Sequence, residues 1–255
     1  MKKINKGKII ICPDIHQNLK WANTILEKEE TFDSCVFLGD HFDTYEFIDN
    51  EEHFSVMRVC EWINEKMQDE RFVWLLGNHD LSYLSSYRPN GRVDRKSFYL
   101  CSGWTKSKAE NFNKYINPKW FDKIELCCKV GDYYCSHAGF HESHFGPTGS
   151  AEDNIEKLYK AWENEKRDFI YKPYHWIGHV GACRGGDAKV GSPCWLDWRY
   201  EFKPIENIFQ IVGHTQSLEP RDYSEVIIEK DNFCIDSGQK TYMVWENGKL
   251  FYKKI

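Results

Sequence analysis

Three short apolar runs, each broken off by a cluster of polar residues, constrain this chain more than anything else in it. Lys8-Ile9-Ile10-Ile11-Cys12 stops at Pro13-Asp14-Ile15-His16. Cys35-Val36-Phe37-Leu38 stops at Gly39-Asp40-His41-Phe42-Asp43, and Phe72-Val73-Trp74-Leu75-Leu76 stops at Gly77-Asn78-His79-Asp80. Runs this short and continuous suit strands covered on both faces. Leu19, Ala22, Ile25 and Leu26 fall on one stripe and predict a helix over 17–30. Phe54, Met57, Cys60, Ile63 and Met67 predict a second over about 46–69. Strand, helix, strand, helix, strand implies parallel strands with right-handed crossovers. The polar endings then share one sheet edge, where α/β proteins collect ligands. One Asp after a Gly is an ordinary turn residue; three such endings in βαβαβ order are hard to reach by accident.

The pattern continues. Ile124–Val130 and Tyr133–Ser136 around Gly131-Asp132 read as a hairpin that ends in His137-Ala138-Gly139. Residues 150–171 read as a helix with Ile155, Leu158, Tyr159, Trp162, Lys166 and Phe169 on one face. Phe209–Val212 reads as a strand ending in Gly213-His214-Thr215-Gln216, and Phe233–Ile235 as one leading into Asp236-Ser237-Gly238. Asn247-Gly248 marks a closing hairpin. Residues 81–123 read as an irregular insert of aromatics and basic residues, either facing substrate or presenting a solvated basic face. Residues 172–200 are a Gly- and Trp-rich irregular stretch that holds Arg184 and Arg199.

The chain has 255 residues, enough for one large α/β domain over 1–255, and no linker announces a boundary. A net charge of −5 gives no support for general nucleic-acid binding. No run approaches the ~18 apolar residues of a membrane span. Ten cysteines, with no signal-type segment after the basic Met1–Lys8, favour free buried thiols and a cytoplasmic location. Cys127-Cys128 and Cys183…Cys194 do not match a zinc-site spacing.

Five strand ends thus supply Asp14, His16, Asp40, Asn78, His79, His137 and His214. Asp14 and His16, two apart on an extended segment, point the same way. Carboxylate, amide oxygen and imidazole together suit manganese, iron or zinc rather than an all-carboxylate magnesium site. So many donors favour two ions, which calls for one bridging carboxylate.

The ordered motifs resemble those of the calcineurin-like metallophosphoesterase superfamily: D-x-H at Asp14–His16, G-D-x-x-D at Gly39–Asp43, G-N-H-[ED] at Gly77–Asp80, then His137-Ala138-Gly139 and Gly213-His214. The resemblance covers about residues 9–238. It implies an α/β fold of two mixed β-sheets packed as a sandwich and flanked by helices. It also implies roles at the matched positions. Asp14 and His16 would hold one divalent ion, Asp40 would bridge, and Asn78, His137 and His214 would hold the second, with manganese the expected metal. His79 would be the proton donor to the leaving group, charged and oriented by Asp43. The implied reaction is hydrolysis of a phosphorylated protein or nucleotide by a hydroxide held between the ions.

Within the superfamily, many members read G-H-x-H where this chain has Gln216. His-Ala-Gly, the W-x-R-like Trp195–Arg199 and Ile235–Gly238 resemble instead the phosphoprotein-phosphatase and bacterial diadenosine-tetraphosphatase branch. That branch usually has Arg after the second Asp of G-D-x-x-D; here Thr44 and Tyr45 follow. Arg199, then Arg184, are the substitutes for a phosphate clamp. Gln17, where Gly is usual, is expected to tighten the space beside the first ion. The expected function is a phosphomonoesterase. The alternatives are a dinucleoside-polyphosphate pyrophosphohydrolase, with a base stacked by the 81–104 aromatics, and a catalytically silent scaffold.

Overall fold

Alternation along the first long strand decides the architecture. β1 (Lys3–Ile4) is a short edge piece, and β2 is Lys8–Cys12. On β2, Ile9 and Ile11 join one buried cluster while Ile10 and Cys12 join another. Successive strand residues face opposite ways, so both sides of the strand are covered. The same split holds in β3 (Ser34–Phe37) and β4 (Phe72–Leu75): Val36, Val73 and Leu75 pack with Ile9 and Ile11, whereas Cys35, Phe37, Phe72 and Trp74 face away. Fully burying an aliphatic side chain is worth about 1.5–3 kcal/mol, so this two-sided burial holds the sheet.

The structure, a computed structural model, describes residues 1–44, 55–88, 99, 101–169, 172, 174–216, 226–227 and 230–255. β2, β3 and β4 run parallel, as the βαβαβ pattern requires. They are joined by β5 (Ile124–Glu125), β11 (Thr241–Glu246), β12 (Lys249–Lys254) and β9 (Val226–Ile227) in the order β5-β4-β3-β2-β11-β12-β9. A second sheet has the order β1-β6-β7-β8-β10, with β6 Cys127–Val130, β7 Tyr133–Ser136, β8 Phe209–Val212 and β10 Phe233–Cys234. Cys128, Cys135, Ile211 and Phe233 of this sheet meet Ile9, Val36 and Val73 of the first. The fold is therefore α/β, two mixed sheets face to face with helices outside.

Helix α1 (Leu19–Lys28) is shorter than the predicted 17–30 because Asn18 caps it, its side chain accepting the Trp21 N–H at 3.0 Å. Helix α2 (Val56–Lys66) is capped by Ser55; the earlier part of the predicted 46–69 helix lies outside the described residues. Such caps are each worth about 1 kcal/mol. Helices α1 and α2 cover the outer face of the first sheet through Ala22, Ile25, Cys60 and Ile63.

Two expectations need correction. The run Ile124–Val130 is not one strand, because it splits at Leu126, pairing Ile124–Glu125 with β4 and Cys127–Val130 with β7. Residues 81–123 are largely regular where described. Helix α3 (Asn78–Ser86) begins inside the third motif and is buried on all sides, followed by α4 (Lys106–Tyr115) and α5 (Trp120–Lys123). Helix α6 (Ala151–Glu165), opened by a Ser150–Asp153 capping box, ends before the predicted 171. Eight of the ten cysteines are buried and all are free. No helix among the described residues is long and apolar enough to cross a membrane.

Candidate metal centre

The strand ends meet at one edge and are laced together by backbone. Ile15 and His16 donate N–H bonds to the Asp40 carbonyl at 3.2 and 2.9 Å, and Gln17 donates to that of His41 at 3.0 Å. Asp40 Oδ1 accepts the His79 N–H at 2.8 Å. Asp14 accepts the His214 N–H at 3.0 and 3.1 Å on its two oxygens, and Gly213 N–H donates to the His137 carbonyl at 2.7 Å. The glycines of the motifs are needed for this proximity. A Cβ on Gly77 would lie 2.2 Å from Asp40 Oδ1, and one on Gly213 would lie 2.1 Å from Asp14 Oδ1. Either would push a carboxylate off the edge.

His16, Gln17, Asp40, Asp43 and His214 all have φ between 45° and 66°. This left-handed conformation is unfavourable for residues with a Cβ, by about 1–3 kcal/mol each where the surroundings must enforce it. Its concentration here marks an edge shaped for something other than stability.

Around Asp40 the donor atoms form two groups that share its carboxylate: Asp40 with His137 and His214, and Asp40 with His16 and His79. His137 Nε2 lies 2.9 Å from Asn78 Oδ1, 3.1 Å from His214 Nδ1 and 3.4 Å from Asp40 Oδ2. Its Nδ1 faces the Leu38 carbonyl at 3.0 Å, so the hydrogen belongs on Nδ1 and the neutral ring presents a lone pair at Nε2. That lone pair then faces the Asn78 oxygen, acceptor against acceptor. A cation between them relieves this, and in its absence a proton must. Burial opposes that proton, yet the charges of Asp40 and Asp14 push the His137 pKa up to about 9. His214 goes the other way, held well below the usual histidine range by burial and by the His137 and Arg184 charges, with Nε2 buried and unpaired. Two buried carboxylates, an amide oxygen and imidazoles with converging lone pairs fit divalent cations well.

His16 directs Nδ1 at the Asp43 carbonyl at 2.8 Å, leaving Nε2 3.9 Å from both Asp14 Oδ2 and Asp40 Oδ2. The seven strand-end residues are therefore together. Two details differ from the implied scheme: His79 falls in the His16 group, and Asp14 does not, because its oxygens are turned to the His214 amide.

His79 Nδ1 is 3.0 Å from Asp43 Oδ2. Burial disfavours its proton, but Asp40 and Asp43 outweigh this and raise the His79 pKa. Asp43 is in turn held by groups that sequence reasoning missed. Tyr83 Oη donates to Oδ1 at 2.5 Å, Lys108 Nζ reaches the same oxygen at 3.3 Å, and Gln17 Oε1 accepts the Asp43 N–H at 2.8 Å. Gln17 thus braces Asp43. Asp80 ties the second motif to the third, accepting the His41 and Gly77 N–H groups at 2.9 Å each and pairing with His41 Nδ1 at 3.0 Å.

The centre opens into a cavity of about 340 Å³ lined by His16, Asp40, Thr44, Asn78, His79 and Arg184, among others. Arg184 Nη2 is anchored at 2.9 Å to both Thr215 Oγ1 and Asp197 Oδ2. Arg199 is exposed, bonds the Gln216 carbonyl, and is not among the lining residues, whereas Arg184 is. Tyr83 and Tyr99 of the 81–104 stretch are buried rather than offered to the cavity; Phe98, Arg92, Arg95 and Lys96 lie outside the described residues.

No curated protein matches its sequence. The fold is similar to a cold-active protein-tyrosine phosphatase of a psychrophile Shewanella sp., at 15% identity and TM-score 0.59 over 100% of this chain and 80% of that one. A further structure titled as a cold-active protein tyrosine phosphatase reaches 16% identity and TM-score 0.60, covering 100% and 78%. Identities this low speak for the fold alone. Residues 7–217, which carry Asp14, His16, Asp40, Asn78, His79, His137 and His214, match the family described as calcineurin-like phosphoesterase. The chain belongs to that family of metal-dependent phosphoesterases.

Proposed function

We propose that this chain is a phosphomonoesterase working with two divalent ions, manganese by expectation, shared through Asp40. The observation that carries this reading is the pair of donor groups that meet on the Asp40 carboxylate at the floor of a polar cavity. Asp14 and His16 are assigned to one ion and Asn78, His137 and His214 to the other. When bound, the ions supply charge neutralisation for the phosphoryl oxygens and an activated water.

The chain's own residues do the rest. Arg184, fixed by Asp197 and Thr215, holds a phosphoryl oxygen at the cavity wall. The N-terminus of α3, whose first residues Asn78 and His79 line the cavity, turns the positive end of the helix dipole to the same charge. His79 gives a proton from Nε2 to the departing oxygen. Asp43 keeps the imidazole charged and oriented, and Tyr83 and Lys108 keep Asp43 in place. Arg199 has no role in this scheme. For the pyrophosphohydrolase alternative, Tyr83 and Tyr99 are buried, which leaves the half-buried Tyr87 and Trp104 as the described aromatics of that stretch that could stack a base.

The deciding experiment is turnover of a panel of phosphopeptides and dinucleoside polyphosphates, with metal analysis of the same preparation. Mn²⁺-dependent release of phosphate from phosphopeptides is expected. Turnover of the dinucleoside polyphosphates alone moves the assignment to a pyrophosphohydrolase. Bound metal with no turnover of anything leaves the scaffold reading.

A further inference from the structure

The scheme above leaves one buried carboxylate unused. Asp236 is 6% exposed, lies in the turn between β10 and β11, and lines the same cavity as His16 and Asp40. Strand register puts it there. β11 runs antiparallel to β2 with Met243 opposite Ile11, so the residues before Thr241 lie over the loop that follows Cys12. Two hydrogen bonds latch turn to loop: Gln239 Nε2 donates to the Ile15 carbonyl at 2.6 Å, and Asn18 Nδ2 donates to Gln239 Oε1 at 2.6 Å. Gly238, at φ +67°, completes the turn. A Cβ there would lie 2.5 Å from Gln216 Nε2, so only glycine lets Gln216 pack against it.

Among the described residues the Asp236 carboxylate accepts one hydrogen bond, from the Gly238 N–H to Oδ1 at 3.1 Å. Its other oxygen is left unpaired in the cavity wall. The latch sets this turn against the loop that carries Asp14 and His16, and Asp236 lines the cavity together with His16 and Asp40. Asp14, Asp40 and Asp236 thus bring three carboxylates to the His16 side, whereas Asn78, His137 and His214 bring no formal negative charge to the other. Buried like charges of this kind are costly without a cation among them.

We propose that Asp236 is a third carboxylate for the divalent ion assigned to Asp14 and His16, and that it sets that ion's affinity. The inference rests on the two-ion reading of the centre. It differs from a turn-shaping role, because Asn at 236 keeps an oxygen for the Gly238 N–H and loses only the charge.

The test is isothermal titration of the metal-free full-length chain with MnCl₂, on wild type and Asp236→Asn, with thermal melts of both in chelator. In Asp236→Asn one binding event is expected to weaken roughly 10- to 100-fold, the other staying within about twofold. The melting temperature in chelator should hold or rise, since a buried repulsion has been removed. Two unchanged binding events in the variant overturn the inference while leaving the two-ion reading intact. So does a lower melting temperature with both events weakened together, which is the signature of a turn residue. Wild type that takes up no Mn²⁺ overturns the two-ion reading, and the inference with it.

Discussion

On the His137 side of Asp40, four donors arrive from the ends of β3, β4, β7 and β8, and the other three lie 2.9–3.4 Å from His137 Nε2. On the His16 side, Asp14 and His16 come from one loop after β2, the nearest approaches are 3.9 Å, and the His16 side chain keeps 18% of its surface exposed. His137 keeps none, and the Leu38 carbonyl fixes its tautomer. A site built from separate rigid strands is preorganised, while one built on a single loop relies on neighbours such as Gln239 to hold it. The two halves are thus expected to bind ions unequally, with the His16 side releasing its ion first.

Asp40 belongs to both halves, so it offers the most direct way to break the contrast. Asp40→Asn is expected to weaken both ions and lower kcat/KM by about 10³-fold, because a neutral amide forfeits several kcal/mol of charge stabilisation. Metal analysis with a chromogenic assay checks this, and full activity with two bound ions refutes the bridge. His79→Ala comes next, with both ions kept and turnover down about 10²-fold or more. The loss should be smaller on p-nitrophenyl phosphate, whose leaving group needs no proton, than on an alkyl phosphate; equal losses argue against a proton donor.

The arginines sharpen the contrast at the cavity wall. Arg184→Ala should raise KM roughly tenfold or more, the value of a charge-assisted hydrogen bond, whereas Arg199→Ala should change it less than about twofold. A larger effect from Arg199 restores the order expected from sequence. The smallest effect is remote from the centre. Glu29 is buried against Lys8, Lys253 and Tyr242. Burial works against its charge, but these partners prevail and bring its pKa from 4.5 to about 2. A depressed carboxylate stabilises the fold above its unfolded pKa. Its contribution should therefore be lost as pH falls from about 4.5 towards 2. Acid unfolding of Glu29→Gln, compared with wild type in chelator, should lack that part of the slope.

Legibility followed range along the chain. The parallel strands and their polar endings could be read because apolar runs and motifs are contiguous, and βαβ handedness then puts their ends on one edge. The set of residues gathered at that edge was legible for the same reason. What supports it was not. Tyr83 meets Asp43 across 40 residues, Lys108 across 65, and His41 meets Asp80 across 39. No periodicity announces such pairs. Asp236 could be read as part of a motif but not as part of the His16 side, which depends on β11 lying beside β2. The run Ile124–Val130 was misread because apolar continuity does not say which sheet a residue joins.

The sequence by itself determined the fold class, the shared edge and the chemical types gathered there, since burial and glycine spacing act locally. Only the tertiary structure decided which histidine nitrogen carries a lone pair, which arginine lines the cavity and which carboxylates share one side of it. Those depend on distances of a few ångströms between residues 200 or more positions apart, such as Asp14 and His214. Coulomb energy and hydrogen bonding change steeply over those distances, and a linear pattern contains none of them.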